Sequence, residues 1–296
     1  MPELPEVENI VRYLNKTIIG FKITGAWTDW PKIVKNLSFD KFNKKITNRK
    51  ILRIQRRAKY ILIDLTGNKT LLLHQKISGH LLFGKWEKNK EGKWQSIAPG
   101  PLKDDPKNQF IRFILFSSSG KMLALSDLRR FAKILLFDKD KIEELGEIKS
   151  LGPEPLAKNF TFKKFHEILK NKKGKIKQVL MDQNIIAGIG NIYSDEILWE
   201  AKIHPLKETK ILKEKELKGV FSAIKKILKK AIKFQGDSID NYRLPDGKKG
   251  KYQEIQKVYQ REGKKCFRCK ALIKRIKIGG RSAHFCPECQ TLTRHL

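Results

Sequence analysis

The sequence has few cysteines and no long hydrophobic run. Only four of its 296 residues are cysteine, and all four lie within the last 31 residues. No segment of about 18 consecutive apolar residues occurs, so no membrane span is expected. The N-terminal segment is acidic and proline-rich, unlike a secretory signal, and we therefore expect no signal peptide. These absences favour a protein of the cell interior.

Acidic residues are also in short supply. The chain has 64 Lys and Arg against 31 Asp and Glu, a formal net charge of +33. Such an excess destabilises a compact fold by self-repulsion unless a polyanion neutralises it. With no membrane span expected, nucleic acid is the favoured polyanion. The alternative is that abundant lysine reflects genome composition, but that does not explain why Lys and Arg recur at the candidate sites below.

The four cysteines form two close pairs near the C-terminus. Cys266 and Cys269 are separated by two residues, as are Cys286 and Cys289, and sixteen residues lie between the pairs. This spacing is typical of a zinc ribbon, in which four thiolates close a tetrahedral Zn²⁺ site of structural type. The alternatives are two disulfides or a redox pair. The surrounding segment is basic, with Lys264, Lys265, Arg268, Lys270, Lys274, Arg275, Lys277 and Arg281.

The first half of the chain has the pattern of a β domain that begins with a helix. Residues 5–20 form an amphipathic pattern, with Pro5 suited to a first helical turn and Gly20 to the stop. Strand-like runs follow at 51–65, 70–74, 80–86, 110–117, 121–126 and 132–138. Because most of these runs have no helical segment between them, we expect an antiparallel sandwich or barrel.

The second half is helical. The segment LGPEP at 151–155 cannot continue a helix or an inner strand, which predicts an interdomain linker. Helical patterns follow at 161–171, 174–183, 191–201 and 213–235, and a polar loop occupies 236–252. The predicted class is α+β. Its parts are a β domain over 1–138, a linker over 139–155, a helical domain over 156–260 and a zinc-finger β-hairpin over 261–296.

The chain begins with residues suited to covalent chemistry. A small second residue allows removal of the initiator methionine, which would expose Pro2 as a secondary amine. An α-amino group titrates near about 8, so a useful fraction is unprotonated at neutral pH. Attack on a sugar C1′ would give a charged iminium, and Glu3 and Glu6 are placed for acid–base work. The alternative is that both carboxylates only favour the dipole of a first helical turn.

Two further segments are candidate nucleic-acid contacts. In QRRAKY at 55–60, strand alternation puts Arg57 and Lys59 on one face, although an isolated run of this kind would be a solvated basic edge. At 188–191, GIGN precedes a helix whose exposed N–H groups would bind phosphate. The alternative for that segment is simple capping by Asn191.

These motifs together resemble the bacterial formamidopyrimidine-DNA glycosylases of the Fpg/Nei group. The resemblance covers essentially the whole chain and keeps the order of the motifs. They are MPELPEVE at 1–8, QRRAKY at 55–60, LGPEP at 151–155, GIGNIY at 188–193, PDGKKG at 245–250 and the four cysteines. It implies a β-sandwich, a helix-two-turns-helix element in the helical domain and one structural zinc.

The resemblance also implies catalytic roles. Pro2 would be the Schiff-base nucleophile that displaces the damaged base. Glu3 would help to open the deoxyribose ring, with Glu6 supporting the site. Lys59 would contact the lesion phosphate and assist β-elimination, and Arg281 would grip the adjacent phosphate and assist δ-elimination. Two fixed cations and an acid around the sugar-phosphate would stabilise the charge that develops there.

Base extrusion needs a wedge that fills the gap in the duplex. The resemblance implies that Ile77, Arg129 and Phe131 supply it, with His74 as a further DNA contact in the same segment as Ile77. Ile77 stands where the family has methionine, and Leu128 replaces a common proline. Without the resemblance, Ile77 and Phe131 would be interpreted as core residues.

Further DNA contacts are implied beyond the wedge. Lys173, Lys177 and Asn191 would bind the DNA backbone, and the loop containing Ser238, Tyr242 and Gly247 would close over the extruded base.

The sequence therefore predicts a bifunctional DNA glycosylase and abasic-site lyase that excises oxidised purines such as 8-oxoguanine and formamidopyrimidines. Its partner would be double-stranded DNA with oxidised or abasic lesions. It would be a monomer, located in the bacterial cytoplasm with the nucleoid. One rival is a Nei-like enzyme for oxidised pyrimidines. Another is a non-catalytic zinc-ribbon protein that binds nucleic acid, which would assign no purpose to Pro2 and Glu3.

Overall fold

The computed structural model describes residues 1–292, which fall into two compact units. The first comprises Met1–Lys149 with Phe234–Gln253, and the second comprises Ser150–Lys233 with the chain from Glu254 onward. The predicted domain over 156–260 is continuous, whereas the structure groups 234–253 with the first unit. Residues 293–296 of the predicted finger domain lie outside the described residues. The predicted boundaries stay a prediction.

The first unit contains four helices and ten strands. The helices are α1 Leu4–Thr17, α2 Phe39–Ile46, α3 Pro101–Asp104 and α4 Gly146–Lys149. The strands are β1 Ile23–Thr28, β2 Ile51–Arg57, β3 Tyr60–Leu65, β4 Lys69–His74, β5 His80–Gly84, β6 Trp86–Lys88, β7 Trp94–Ser96, β8 Ile111–Ser117, β9 Met122–Ser126 and β10 Lys133–Asp138.

The strands form an antiparallel β-sandwich. One sheet has the order β1-β8-β9-β5, the other has the order β10-β4-β3-β2, and β6 and β7 form a separate hairpin. Leucine, isoleucine and phenylalanine side chains from both sheets share one core with the apolar face of α1. The predicted sandwich with an N-terminal helix is confirmed.

The residues of helix α1 explain where it begins and which face it buries. Pro5 lies in the first turn, where a missing N–H costs nothing, and Val7, Ile10 and Leu14 are completely buried on one face. The helix ends at Thr17, three residues before the predicted stop. The chain turns at Gly20, whose φ of +81° suits glycine.

The predicted run over 51–65 is wrong as a single strand. Ala58 has a φ of +53°, and Arg57 pairs with Tyr60 across the β2–β3 hairpin. The chain therefore reverses at Ala58 and Lys59, and the predicted sharing of one strand face by Arg57 and Lys59 is also wrong. The reversal was not predicted because strand-forming residues continue through the turn, and no glycine or proline marks its position.

Three features of the first unit were not predicted. Strand β1 contains Gly25 at a register shift, helix α2 has only eight residues, and the β6–β7 hairpin has three residues in each strand. Elements this short carry too few residues to establish a period.

The second unit is helical and ends in a hairpin. Its elements are α5 Phe162–Lys170, α6 Ile176–Met181, α7 Asn191–Ala201, α8 Glu214–Lys233, β11 Lys274–Ile278 and β12 Arg281–Phe285. All four predicted helices are present. Helix α6 is shorter than predicted because Gly174 has a φ of +101° and Asp182 is extended. In the part of the chain that the structure describes, no helix has the length and apolar character needed to cross a bilayer.

Candidate active site and nucleic-acid interface

The N-terminal segment brings three predicted catalytic residues together. Pro2 is buried, and Glu3 and Glu6 are only 2% and 1% exposed. Glu3 caps α1, and the two glutamates form a capping box in which the Glu3 N–H donates to Glu6 Oε2 at 2.8 Å. The capping interpretation and the catalytic one are compatible, because the box fixes both carboxylates at the start of the helix that directly follows Pro2.

Glu6 also holds a residue that the sequence did not single out. Its Oε1 accepts the N–H of Asp237 at 2.8 Å. Gly236 has a φ of +79°, and a Cβ there would lie 2.8 Å from Glu6 Oε1, so only glycine allows this approach. Burial raises the pKa of Asp237 to about 7, with smaller contributions from other charges. The only sequence signal was an aspartate next to a glycine in a polar loop.

Lys59 lies in the turn between β2 and β3 and is 6% exposed. Its charge acts on His74, which ends β4 and stacks edge-on against Tyr60 at 4.6 Å. Burial, followed by the positive charges of Lys76, Lys133 and Lys59, lowers the pKa of His74 to about 3. His74 is therefore neutral at physiological pH, and its Nδ1 accepts the Lys76 N–H at 2.9 Å.

The predicted wedge residues are exposed. Ile77 is 37% and Phe131 46% exposed, so their interpretation as core residues is wrong. The Arg129 guanidinium lies over the Phe131 ring at 4.6 Å from its centroid. Leu128 is also exposed. An unburied apolar group next to a stacked arginine is suited to insertion between bases.

A buried aspartate, also missed from the sequence, organises the wedge. Asp127 is completely buried, and its Oδ2 accepts the N–H groups of Phe131 and Ala132 at 2.8 and 2.9 Å. The Ser78 hydroxyl donates to Asp127 Oδ1 and accepts the Arg129 N–H at 3.1 Å. Asp127 and Ser78 thus connect the loop of Ile77 with the loop of Phe131.

In the second unit, the GIGN segment is organised by one glutamine. The Gln183 side chain donates to the carbonyls of Met181 and Ile189 at 2.8 and 2.7 Å and accepts the Gly188 N–H at 2.8 Å. Asn191 is the first residue of α7 and is half-buried, and its Oδ1 accepts no hydrogen bond from the helix. Its simple capping role is not observed.

Of the two predicted backbone-binding lysines, only Lys173 is at the surface. Lys177 is 1% exposed, and its Nζ lies 2.5 Å from Asp195 Oδ1 and 3.1 Å from the Ser194 hydroxyl. These contacts fix helix α6 to helix α7, and the contact of Lys177 with the DNA backbone stays a prediction.

Asp195 and its neighbour Glu196 tie the finger region to α7. Asp195 Oδ2 accepts the His284 N–H at 2.9 Å and contacts its Nδ1 at 3.0 Å. Glu196 accepts the N–H groups of Lys257, Val258 and Tyr259 at 2.9 to 3.0 Å. Burial raises the pKa of Glu196, while these N–H donors lower it. The two carboxylates hold β12 and the segment before the finger.

Arg281 begins β12 and is exposed at the tip of the finger hairpin. Gly279 and Gly280 form its two-residue turn with φ of +53° and +76°, values that favour glycine at both places. A Cβ on Gly279 would lie 2.4 Å from Gln178 Nε2, so α6 approaches this turn closely. A cavity of about 230 Å³ lies between Arg281 and α6.

The four cysteines converge on one site. Their sulfur atoms all lie within 4.8 Å of one another, with Cys266 and Cys289 at 4.0 Å and Cys269 and Cys286 at 3.3 Å. Tetrahedral Zn–S bonds of about 2.3 Å place sulfur atoms about 3.8 Å apart, so the set fits zinc. None of the four is in a disulfide, so the two-disulfide alternative is wrong. The site holds one structural zinc.

Tyr242 anchors its loop in the core. Its ring is 4% exposed and belongs to the sandwich core. The Ser238 hydroxyl donates to the Tyr242 carbonyl and accepts the Gly250 N–H, both at 2.8 Å. The ring therefore holds the loop against the sandwich, and the closure of this loop over an extruded base stays a prediction. Ser238 and Gly250 clamp the loop around it.

Comparisons with known proteins agree along the chain. Residues 1–134 match the formamidopyrimidine-DNA glycosylase N-terminal domain, residues 151–243 the formamidopyrimidine-DNA glycosylase H2TH domain, and residues 263–292 the zinc finger found in FPG and IleRS.

Relatives and solved structures give the same result. A formamidopyrimidine-DNA glycosylase of Herpetosiphon aurantiacus is 38% identical, with 98% of this chain and 100% of the relative covered. Lactococcus lactis Fpg in complex with DNA containing an abasic site superposes with a TM-score of 0.85 at 36% identity, covering 98% and 100% of the two chains. The same protein bound to DNA with an oxidised pyrimidine gives 0.84 at 35% identity and the same coverage.

Proposed function

Because the chain belongs to the formamidopyrimidine-DNA glycosylase family, a DNA glycosylase family of DNA repair, we propose that it excises oxidised purines and then cleaves the abasic strand. The substrates would be 8-oxoguanine and formamidopyrimidines in double-stranded DNA. Excision would pass through a Schiff base on Pro2, followed by β,δ-elimination. We further propose that it acts as a monomer, in the cytoplasm and on nucleoid DNA.

The observation that carries this proposal is the N-terminal constellation. Pro2 is buried directly before α1, and the capping box holds the Glu3 and Glu6 carboxylates at the start of this helix. A secondary amine with adjacent acids can form an iminium at C1′ and open the sugar ring. A non-catalytic zinc-ribbon protein accounts for the finger and the charge but gives this constellation no purpose.

The other predicted site residues would act either in the elimination steps or in DNA binding. We propose that Lys59 and Arg281 stabilise the phosphates that depart in β- and δ-elimination. Ile77, Arg129 and Phe131 fill the gap left by the extruded base, and this role is supported by their exposure and by the Asp127 scaffold. Contacts with the backbone come from His74, Lys173, Lys177 and Asn191, and the loop of Tyr242 closes over the extruded base.

Borohydride trapping tests the chemistry directly. Duplexes that each contain one abasic site, 8-oxoguanine, formamidopyrimidine or oxidised pyrimidine are incubated with the protein and reductant. We expect a covalent complex of one chain with the DNA strand, together with base release and strand cleavage. The Pro2→Leu variant, whose bulky second residue retains Met1, should lose trapping. Pro5→Ala, in the same segment, is the control and should retain it.

Undiminished trapping with residue 1 retained, verified by mass spectrometry, would remove Pro2 from the mechanism. The same panel addresses a second candidate, an enzyme that prefers oxidised pyrimidines. This candidate is favoured by one observation, that the Lactococcus lactis relative has been crystallised with such DNA. Faster release of oxidised pyrimidines than of both purine lesions would support it.

A further inference from the structure

Asp237 lies at the N-terminus of α1 although it is 231 positions from Glu6. Its N–H and the Glu3 N–H are bound by the two oxygens of one Glu6 carboxylate, each at 2.8 Å. Glu3 is the residue that follows Pro2. A single bridging side chain therefore joins Asp237 to the residue next to the proposed nucleophile. Asp237 is 5% exposed.

The Asp237 carboxyl is influenced by charges at the start of the chain, including the amino group that Met1 carries in the structure. After burial, the charges of Asp240 and Glu3 raise the pKa of Asp237, and the amino-terminal charge lowers it, with a net value of about 7. Glu6 is a further charged neighbour, bound to the Asp237 N–H. Near neutral pH the carboxyl thus exchanges its proton readily, a property expected of an acid–base group and not of a solvated surface aspartate.

The loop holds Asp237 in one position. Gly236 lies against Glu6, and a Cβ at that residue would meet Glu6 Oε1 and the Tyr242 ring at 2.8 and 3.1 Å. On the other side, the Ser238 N–H donates to Gln253 Oε1 at 2.9 Å. Asp237 Oδ1 accepts the Ile239 N–H at 3.1 Å. A side chain fixed from both directions can serve a reaction that needs an oriented base.

We propose that Asp237 is a further catalytic residue, whose carboxylate stabilises the positive charge that develops on the Pro2 nitrogen and accepts the proton of that nitrogen. The inference rests on the proposed role of Pro2 as nucleophile.

In the proposed step, the lone pair of the Pro2 nitrogen forms the N–C1′ bond while the C1′–base bond breaks. The electron pair of the broken bond leaves with the base, which takes a proton from solvent. The nitrogen, now positive, transfers its one proton to Asp237. The nitrogen lone pair then forms the iminium as the C1′–O4′ bond breaks, and O4′ takes a proton from Glu3. Asp237 returns its proton to solvent, and its carboxylate faces the iminium.

This role requires the ionised carboxylate, which sets the pH dependence. The contribution of Asp237 should be absent where the carboxyl is protonated, below its pKa of about 7, and should be complete above it. An aspartate that acts only through hydrogen bonds that asparagine also makes would give the same rate as the Asp237→Asn variant at every pH.

The test is single-turnover base release from 8-oxoguanine duplex between pH 6 and 9. We expect Asp237→Asn to be about tenfold or more slower than the wild type at pH 8.5, a low value for acid–base catalysis. The ratio of the two rates should fall towards one at pH 6. Asp240→Asn removes an exposed carboxylate from the same loop and is the matched control. It is expected to match the wild type at pH 8.5, where Asp237 is ionised with or without the Asp240 charge.

Equal rates for Asp237→Asn and the wild type, or a ratio that is constant across pH, would overturn the inference. If Asp237→Asn does not fold, Asp237→Ser keeps an oxygen for the Ile239 N–H and is measured in its place. Borohydride trapping with the wild type separates the two proposals. Its absence defeats the Pro2 mechanism itself, whereas trapping without a pH-dependent ratio defeats only the role of Asp237.

Discussion

The two units use buried carboxylates for opposite purposes. In the second unit, the Asp195 carboxylate lies 2.5 Å from the Lys177 ammonium and also contacts the His284 ring. All three residues are at most 5% exposed. In the first unit, burial together with the charges of Asp240 and Glu3 raises the pKa of Asp237 to about 7.

The difference indicates which carboxylate is scaffold and which is reactive. A buried ion pair that satisfies its charges holds elements in place and has little reason to exchange protons. A buried carboxylate among like charges is held in an unfavourable state, which is common where catalysis needs a shifted pKa. Replacing the two aspartates should therefore change stability in opposite directions.

The largest stability effect is expected for Asp195→Asn. The change leaves the Lys177 ammonium buried without its counter-charge, which costs about 3–5 kcal/mol of unfolding free energy. Urea unfolding measures it. Glu200→Gln is the control on the same helix, because its pair with the exposed Lys226 should contribute less than about 1 kcal/mol. Similar losses for both variants would contradict the scaffold assignment.

Asp237→Asn is expected to stabilise the protein at pH 8. The folded chain binds the Asp237 proton more tightly than the unfolded chain, so the wild type loses stability as pH rises from 3.8 to about 7. The variant avoids this loss and should gain up to about 4 kcal/mol at pH 8. The gain should vanish below pH 4. Destabilisation at pH 8 would place Asp237 with the scaffold carboxylates instead.

The smallest stability effect is expected at the wedge. Ile77→Ala should alter the unfolding free energy by no more than about 0.5 kcal/mol, because the side chain is already exposed. Base release should nevertheless slow by about tenfold, since the extruded state loses its filler. Leu73→Ala, in the core, is the contrasting control and should cost about 2–5 kcal/mol. An unchanged excision rate for Ile77→Ala would remove Ile77 from the wedge.

Most helices and strands, and the metal site, could be predicted from local pattern. The apolar period of α1, the strand runs and the cysteine spacing each depend on residues near one another in sequence, and their bounds agree with the structure to within a few residues. The reversal at Ala58 could not be predicted in this way, because a positive φ at a non-glycine residue is stabilised by the sandwich around it.

The sequence by itself determined the family, the zinc ligands and the Pro2–Glu3–Glu6 constellation, because these depend on residue type and short spacing. Only the tertiary structure decided which charged side chains are buried and what they face. It made Lys177 an internal anchor, brought Asp237 to Glu6 and assigned Asp127 to the wedge loops. Partners of this kind are separated by up to 231 positions in the sequence. The free-energy cost of a charged side chain depends on its burial, and burial is a property of the assembled fold.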